Sequence, residues 1–165
     1  MHKFFRLFFI IITLTIVTSS CSLDSNGYSI SAFVKRLNSY DESYDICEEG
    51  FLIDEKSRTM TKFFGFAENE ILLQLQSNEE NQLCSINIVL DNITKNNTSE
   101  INFINNCIKA FLNNEEISNQ LINKLKEDAL FKPDINTKEE KIGNVQLLVD
   151  VTEIGTVITV LQSIP

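Results

Sequence analysis

Hydrophobic positions recur along this chain in two periods, and each period predicts a different element. Ile30, Phe33, Val34 and Leu37 fall at i, i+3, i+4 and i+7, one face of a helix that Asn26 or Ser29 can cap and Asn38-Ser39 ends. Further on, Ile101, Ile104, Ile108, Phe111 and Leu112 make a second helical stripe, capped by Thr98 or Ser99. A third stripe runs through Ile117, Leu121, Leu125 and Ala129, with Asn113 as its cap and Glu116 placed to reach back as in a capping box. Between the first and second helices the period shortens to two. Cys84, Ile86, Ile88 and Leu90 alternate with Ser85 and Asn87, which predicts a strand over 83–90 with one buried and one wetter face.

Other strands are predicted at 51–53, at Thr59–Phe66, at 71–76, at Val145–Thr152 and at 156–161. The polar run 77–82 reads as a hairpin connection. Gly155, after Glu153-Ile154, suits the left-handed position of a short hairpin loop. Loops are expected at 91–99 and at 131–141, the latter holding Pro133 and scattered charges. The order predicts an α+β domain, a two-layer sandwich with an antiparallel sheet of about five or six strands and helices packed on one face.

Three phenylalanines stand close together in one strand: Phe63, Phe64 and Phe66. Side chains alternate along a strand, so the three cannot share one face. Either Phe64 and Phe66 are core and Phe63 packs under a loop, or the group forms an exposed aromatic surface for a partner.

The N-terminus has a different pattern. Lys3 and Arg6 precede an apolar run over 7–17, and the small residues Thr18, Ser19 and Ser20 follow it. Spanning a bilayer takes roughly 20 apolar residues, so this run is too short to span and suits the h-region of an export signal. Thr18-Ser19-Ser20-Cys21 resembles the lipobox of bacterial lipoproteins, with Thr18 where that pattern usually has leucine or another aliphatic residue. The resemblance covers the targeting segment only. It implies cleavage before Cys21 and acylation of that cysteine, which would hold the mature chain on a lipid bilayer. Ser22 resembles the residue that directs Gram-negative lipoproteins to the outer membrane. Ordinary cleavage after Ser19 or Ser20, leaving Cys21 free, is the other reading; both export the chain. The expected organisation is a signal at 1–20, an acylated tether at 21–28 and a single domain at 29–165.

Composition narrows the chemistry. The chain has 14 basic and 23 acidic residues; without Lys3 and Arg6, 12 basic residues face 23 acidic ones, a net charge near −11. Such a surface repels phosphate backbones, so nucleic acid is not an expected partner, and a basic envelope or secreted protein is the complementary one. The single histidine is His2, inside the signal. The mature chain therefore lacks the residue on which Ser-His-Asp and Cys-His catalysis depend. It also lacks G-x-G-x-x-G, Walker, G-x-S-x-G and S-x-x-K patterns. Residues 41–55 hold seven acids but not the alternating oxygen pattern of a calcium loop, so neither a metal nor a cofactor is expected.

Three cysteines lie in the body of the chain. Cys84 on its strand and Cys107 beside its helix stripe would meet if that helix packs on the sheet, and an exported compartment permits a disulfide; two buried thiols are the alternative. Cys47, flanked by acids, is a poor nucleophile.

The function these readings predict is a membrane-anchored, non-catalytic protein-binding module of the cell envelope, with an inhibitory, protective or scaffolding role. A structural accessory of an envelope complex is the second expectation, and a hydrolase using paired carboxylates the third.

Overall fold

A computed structural model describes residues 28–66, 69–79, 82–90, 98–128, 136–152 and 155–162. The predicted signal, Cys21 and residues up to 27 lie outside the described residues, as do 91–97 and Ala129. The elements are β1 (Tyr28–Ser29), α1 (Ile30–Tyr40), β2 (Leu52–Asp54), β3 (Thr59–Phe66), β4 (Asn69–Ser77), β5 (Gln82–Leu90), α2 (Thr98–Leu112), α3 (Glu115–Asp128), β6 (Asn136–Ile142), β7 (Val145–Thr152) and β8 (Gly155–Gln162).

The fold is α+β. Seven strands form one antiparallel sheet in the order β2-β3-β4-β5-β8-β7-β6, and the two-residue β1 pairs with the start of β5. The three helices pack side by side against one face, α2 between α1 and α3. Each helix buries the stripe its periodicity predicts. Phe33, Val34 and Leu37 of α1 join Phe103, Ile104, Cys107, Ile108 and Phe111 of α2, and Leu121, Ile122 and Leu125 of α3. From the sheet they meet Phe64, Ile71, Leu73, Leu75, Ile86, Ile88, Leu90, Val149, Ile158 and Val160. Ser29 caps α1, its hydroxyl accepting from Ala32 N at 3.2 Å.

Four local expectations need correction. First, among the described residues the sheet has seven strands in its order, with the two-residue β1 an eighth beside β5, rather than five or six, because 136–142 is not loop: it forms β6, paired along its length with β7. The segment Lys138-Glu139-Glu140-Lys141 carries no apolar alternation, so its strand character comes from its neighbour. A local signal did exist, since Gly143-Asn144 is a two-residue hairpin sequence and Gly143 has φ +60°.

Second, the cap of α3 is Asn114, whose Oδ1 accepts from Ile117 N at 3.1 Å. Asn113 instead ends α2 in the left-handed region, φ 47°, a conformation asparagine tolerates. Glu116 accepts from Gln120 and not from the cap. Third, Gly155 opens β8 opposite Thr152 and belongs to the ladder.

Fourth, β5 does not keep strict alternation. Ser85 pairs with Gln76, but Leu83 pairs with Ser77, so Cys84 is the extra residue of a bulge. Leu83 thereby takes the core place that alternation reserves for Cys84. The face of Ser85 and Asn87 is also less wet than the pattern predicts. Ser85 is buried and its hydroxyl donates to Gln76 Oε1 at 3.2 Å. Asn87 donates to Gln74 Oε1 at 3.1 Å and accepts from Thr159 Oγ1 at 2.8 Å, a side-chain ladder across β4, β5 and β8.

Candidate interaction site

Among the described residues, the large hydrophobic side chains left exposed all fall between Tyr40 and Phe63: Tyr40 (47 %), Leu52 (70 %), Ile53 (64 %) and Phe63 (39 %). The same stretch contains the acid-rich segment, and the structure explains why. Asp41 caps a one-turn 3-10 helix at Glu42–Tyr44, its Oδ1 accepting from Ser43 N at 2.9 Å and from Ser43 Oγ at 2.6 Å. Asp45 adopts the left-handed conformation at the end of that turn. A second 3-10 turn, Glu48–Gly50, leads into β2. Asp54 then closes the β2–β3 connection, its Oδ1 accepting from Lys56 N at 3.0 Å and Ser57 N at 3.4 Å. These acids shape their own backbone, and both Asp41 and Asp54 have pKa values held below the ordinary aspartate value, mainly by side-chain hydrogen bonds from Ser43 and Ser57.

The segment is fastened at several points. Phe51 and Ile46 are buried in the core, and the Lys62 ammonium lies 5.7 Å from the ring centres of both Phe51 and Phe64. Tyr44 meets Phe103 edge-on at 5.1 Å, and its hydroxyl accepts from Asn106 Nδ2 at 3.1 Å. Burial, the largest cause, raises the Tyr44 pKa above 10.0. What remains outside is β2 itself, whose three residues are all exposed at one margin of the sheet.

The predicted phenylalanine surface divides in two. Phe64 is buried 4.6 Å from the Phe103 ring, and Phe66 packs 5.4 Å from the same ring. Phe63 faces the other way, opposite Leu72. The three therefore do not form one patch. Alternation separates them, and α2 covers the two on its side.

Cys84 and Cys107 are both buried free thiols, so the bridge considered from sequence does not form in this structure. The bulge is the physical reason. Cys107 belongs to the helix-facing core, whereas Cys84 stands outside that cluster and its Sγ donates to Gln76 O at 3.4 Å. Burial raises the Cys107 thiol well above 9.0. Cys47 is exposed and borders an open groove of about 500 Å³ with Ser31, Val34, Lys35, Asn38 and Glu49.

Among the described residues, no three of His, Cys, Asp and Glu converge as a metal site, and no helix is long and apolar enough to cross a membrane. Comparison with known protein families, with curated proteins and with solved structures finds no match to this chain.

Proposed function

We propose that this chain is exported, acylated at Cys21, and holds its α+β domain at a membrane surface as a non-catalytic protein-binding module. One observation carries the binding role: Leu52 and Ile53 of β2, the last strand at one margin of the sheet, are the most exposed large hydrophobic side chains among the described residues, while the helices pack their apolar stripes on the core. An apolar edge rimmed by acids has the makeup of a docking surface with an apolar centre and a polar rim. The anchor reading rests on the residues themselves. Lys3 and Arg6, the short apolar run and Ser19-Ser20-Cys21 supply the parts of a lipoprotein signal. Two or more acyl chains at about 0.8 kcal/mol per buried methylene hold a domain on a bilayer without a spanning helix.

The test is the mature protein taken from native membranes. Its intact mass is expected to begin at Cys21 and to include the acyl chains, and Cys21→Ser is expected to release the domain from membranes. A mass without acyl chains overturns the anchor. Crosslinking in the same membranes is expected to give a one-to-one adduct with another protein; its absence overturns the binding role.

A further inference from the structure

The two margins of the sheet are built differently. β6 is the margin on one side, and along it the charges point both ways. Lys138 and Glu140 share the helix-side face, half-buried, while Glu139 and Lys141 are exposed on the other. Charges directed inward on an outer strand block another strand from pairing there, because pairing would desolvate them. β6 is thus a guarded edge. At the opposite margin, Leu52 and Ile53 point to opposite faces and are both open to solvent, 70 % and 64 % exposed. Among the described residues, β2 pairs only with Thr59, Met60 and Thr61 of β3, and it is the last strand of the order. Its outer side is where a further strand would add, with an aliphatic side chain ready on each face.

The surroundings select the occupant. Asp54 and Glu55 at the end of β2 are exposed, as are Asp41, Glu42, Asp45 and Glu49 in the segment leading to it, and these acids outnumber the nearby cations, Lys56 and Arg58 of the β2–β3 connection and Lys62 beside Phe51. An extended segment with cations alternating with aliphatic residues meets both features at once.

We propose that the outer edge of β2 accepts an extended, cation-bearing segment of a partner protein, which joins the sheet as a strand beside Leu52–Asp54. This rests on the protein-binding reading and specifies its surface and the chemistry of its partner.

The probes are ten-residue peptides alternating valine with lysine, valine with glutamate, and the lysine peptide with methylated backbone nitrogens. The protein is the full mature chain extracted from membranes. The valine–lysine peptide is expected to bind and to slow amide exchange at 52–54, and to bind about tenfold or more tightly than either other peptide. Leu52→Lys with Ile53→Lys lies on an exposed edge, so the variant is expected to keep its circular dichroism and unfolding midpoint while losing about tenfold in affinity. Protection located elsewhere, equal binding of the lysine and glutamate peptides, unaltered binding of the methylated peptide, failure of the lysine peptide to bind, or self-association through β2 would each overturn the edge assignment. Crosslinking in native membranes separates the two readings. An adduct that persists undiminished in the double-lysine variant keeps the binding role and overturns the edge. Loss of the adduct from the native chain overturns the binding role itself.

Discussion

Asn38 pairs with Ile46 as one strand pairs with another: its Nδ2 donates to Ile46 O at 2.7 Å, and its Oδ1 accepts from Ile46 N at 3.0 Å. A side-chain amide on α1 thus satisfies both backbone groups of a residue in the acid-rich segment. With Ile46 buried beside it, this contact ties the approach to β2 onto the helix layer. Asn38→Ala is expected to lower stability by about 1–3 kcal/mol, since Ile46 keeps two polar groups with no replacement partner. Asn38→Asp keeps the acceptor and loses the donor, and is expected to be destabilising as well. Urea unfolding of the three chains checks this; an unchanged midpoint for Asn38→Ala would show that water replaces the amide at no cost.

Phe103 and Phe63 make opposite predictions from similar side chains. Phe103 is fully buried and meets Tyr44, Phe64 and Phe66. Phe103→Ala is expected to cost about 3–5 kcal/mol, because the cavity sits where α2, β3 and the acidic segment converge. Phe63→Ala, on the opposite face and 39 % exposed, is expected to cost less than about 1 kcal/mol. Equal losses in urea unfolding would place Phe63 in the core and contradict the division of the phenylalanines.

The thiols are expected to react in an order set by burial. In a chain carrying Cys21→Ser, an aromatic disulfide reagent should label Cys47 in the native state, and Cys84 and Cys107 only on unfolding. Alkylation in denaturant without reductant should count three thiols. A count of one, with a disulfide peptide joining Cys84 to Cys107, would mean that the β5 bulge rearranges to bring the two together.

Acid should weaken the turns on either side of β2, at Asp41 and Asp54. Asp41 and Asp54 have folded pKa values below 3.8. A depressed carboxylate contributes stability that is present above the unfolded pKa and is lost as pH falls through the folded one. The native chain is therefore expected to lose more stability than an Asp41→Asn, Asp54→Asn chain as pH falls through the range below about 5. Tyr44 has the opposite sign. Its raised pKa keeps its contribution intact below 10.0 and removes it as pH rises through the folded value. Tyr44→Phe should accordingly flatten the alkaline limb, and stability measured from acid to alkaline pH checks both signs.

Periodicity alone determined the three helices and the inner strands. An apolar stripe at 3.6 or at 2 residues has one way to bury itself, so Phe33, Ile104 and Leu121, or Ile86 and Ile88, lie where their spacing puts them. Alternation likewise required that Phe63 and Phe64 part company. The absence of histidine beyond His2, the acidic balance and the run of two cations, apolar residues and small residues ending at Cys21 are also properties of the sequence itself.

What only the tertiary structure decided depends on partners distant in sequence. β6 is a strand because β7 supplies its ladder, and no local apolar pattern in Lys138–Lys141 could announce that. Cys84 stays buried but leaves the helix-facing cluster because β4 and β5 fall out of register by one residue at Gln76/Ser77, a property of the pair and of neither strand. The exposure of Leu52 and Ile53 follows from β2 being last in the order, and strand order is fixed by which hydrogen-bonding edges meet, not by any single segment.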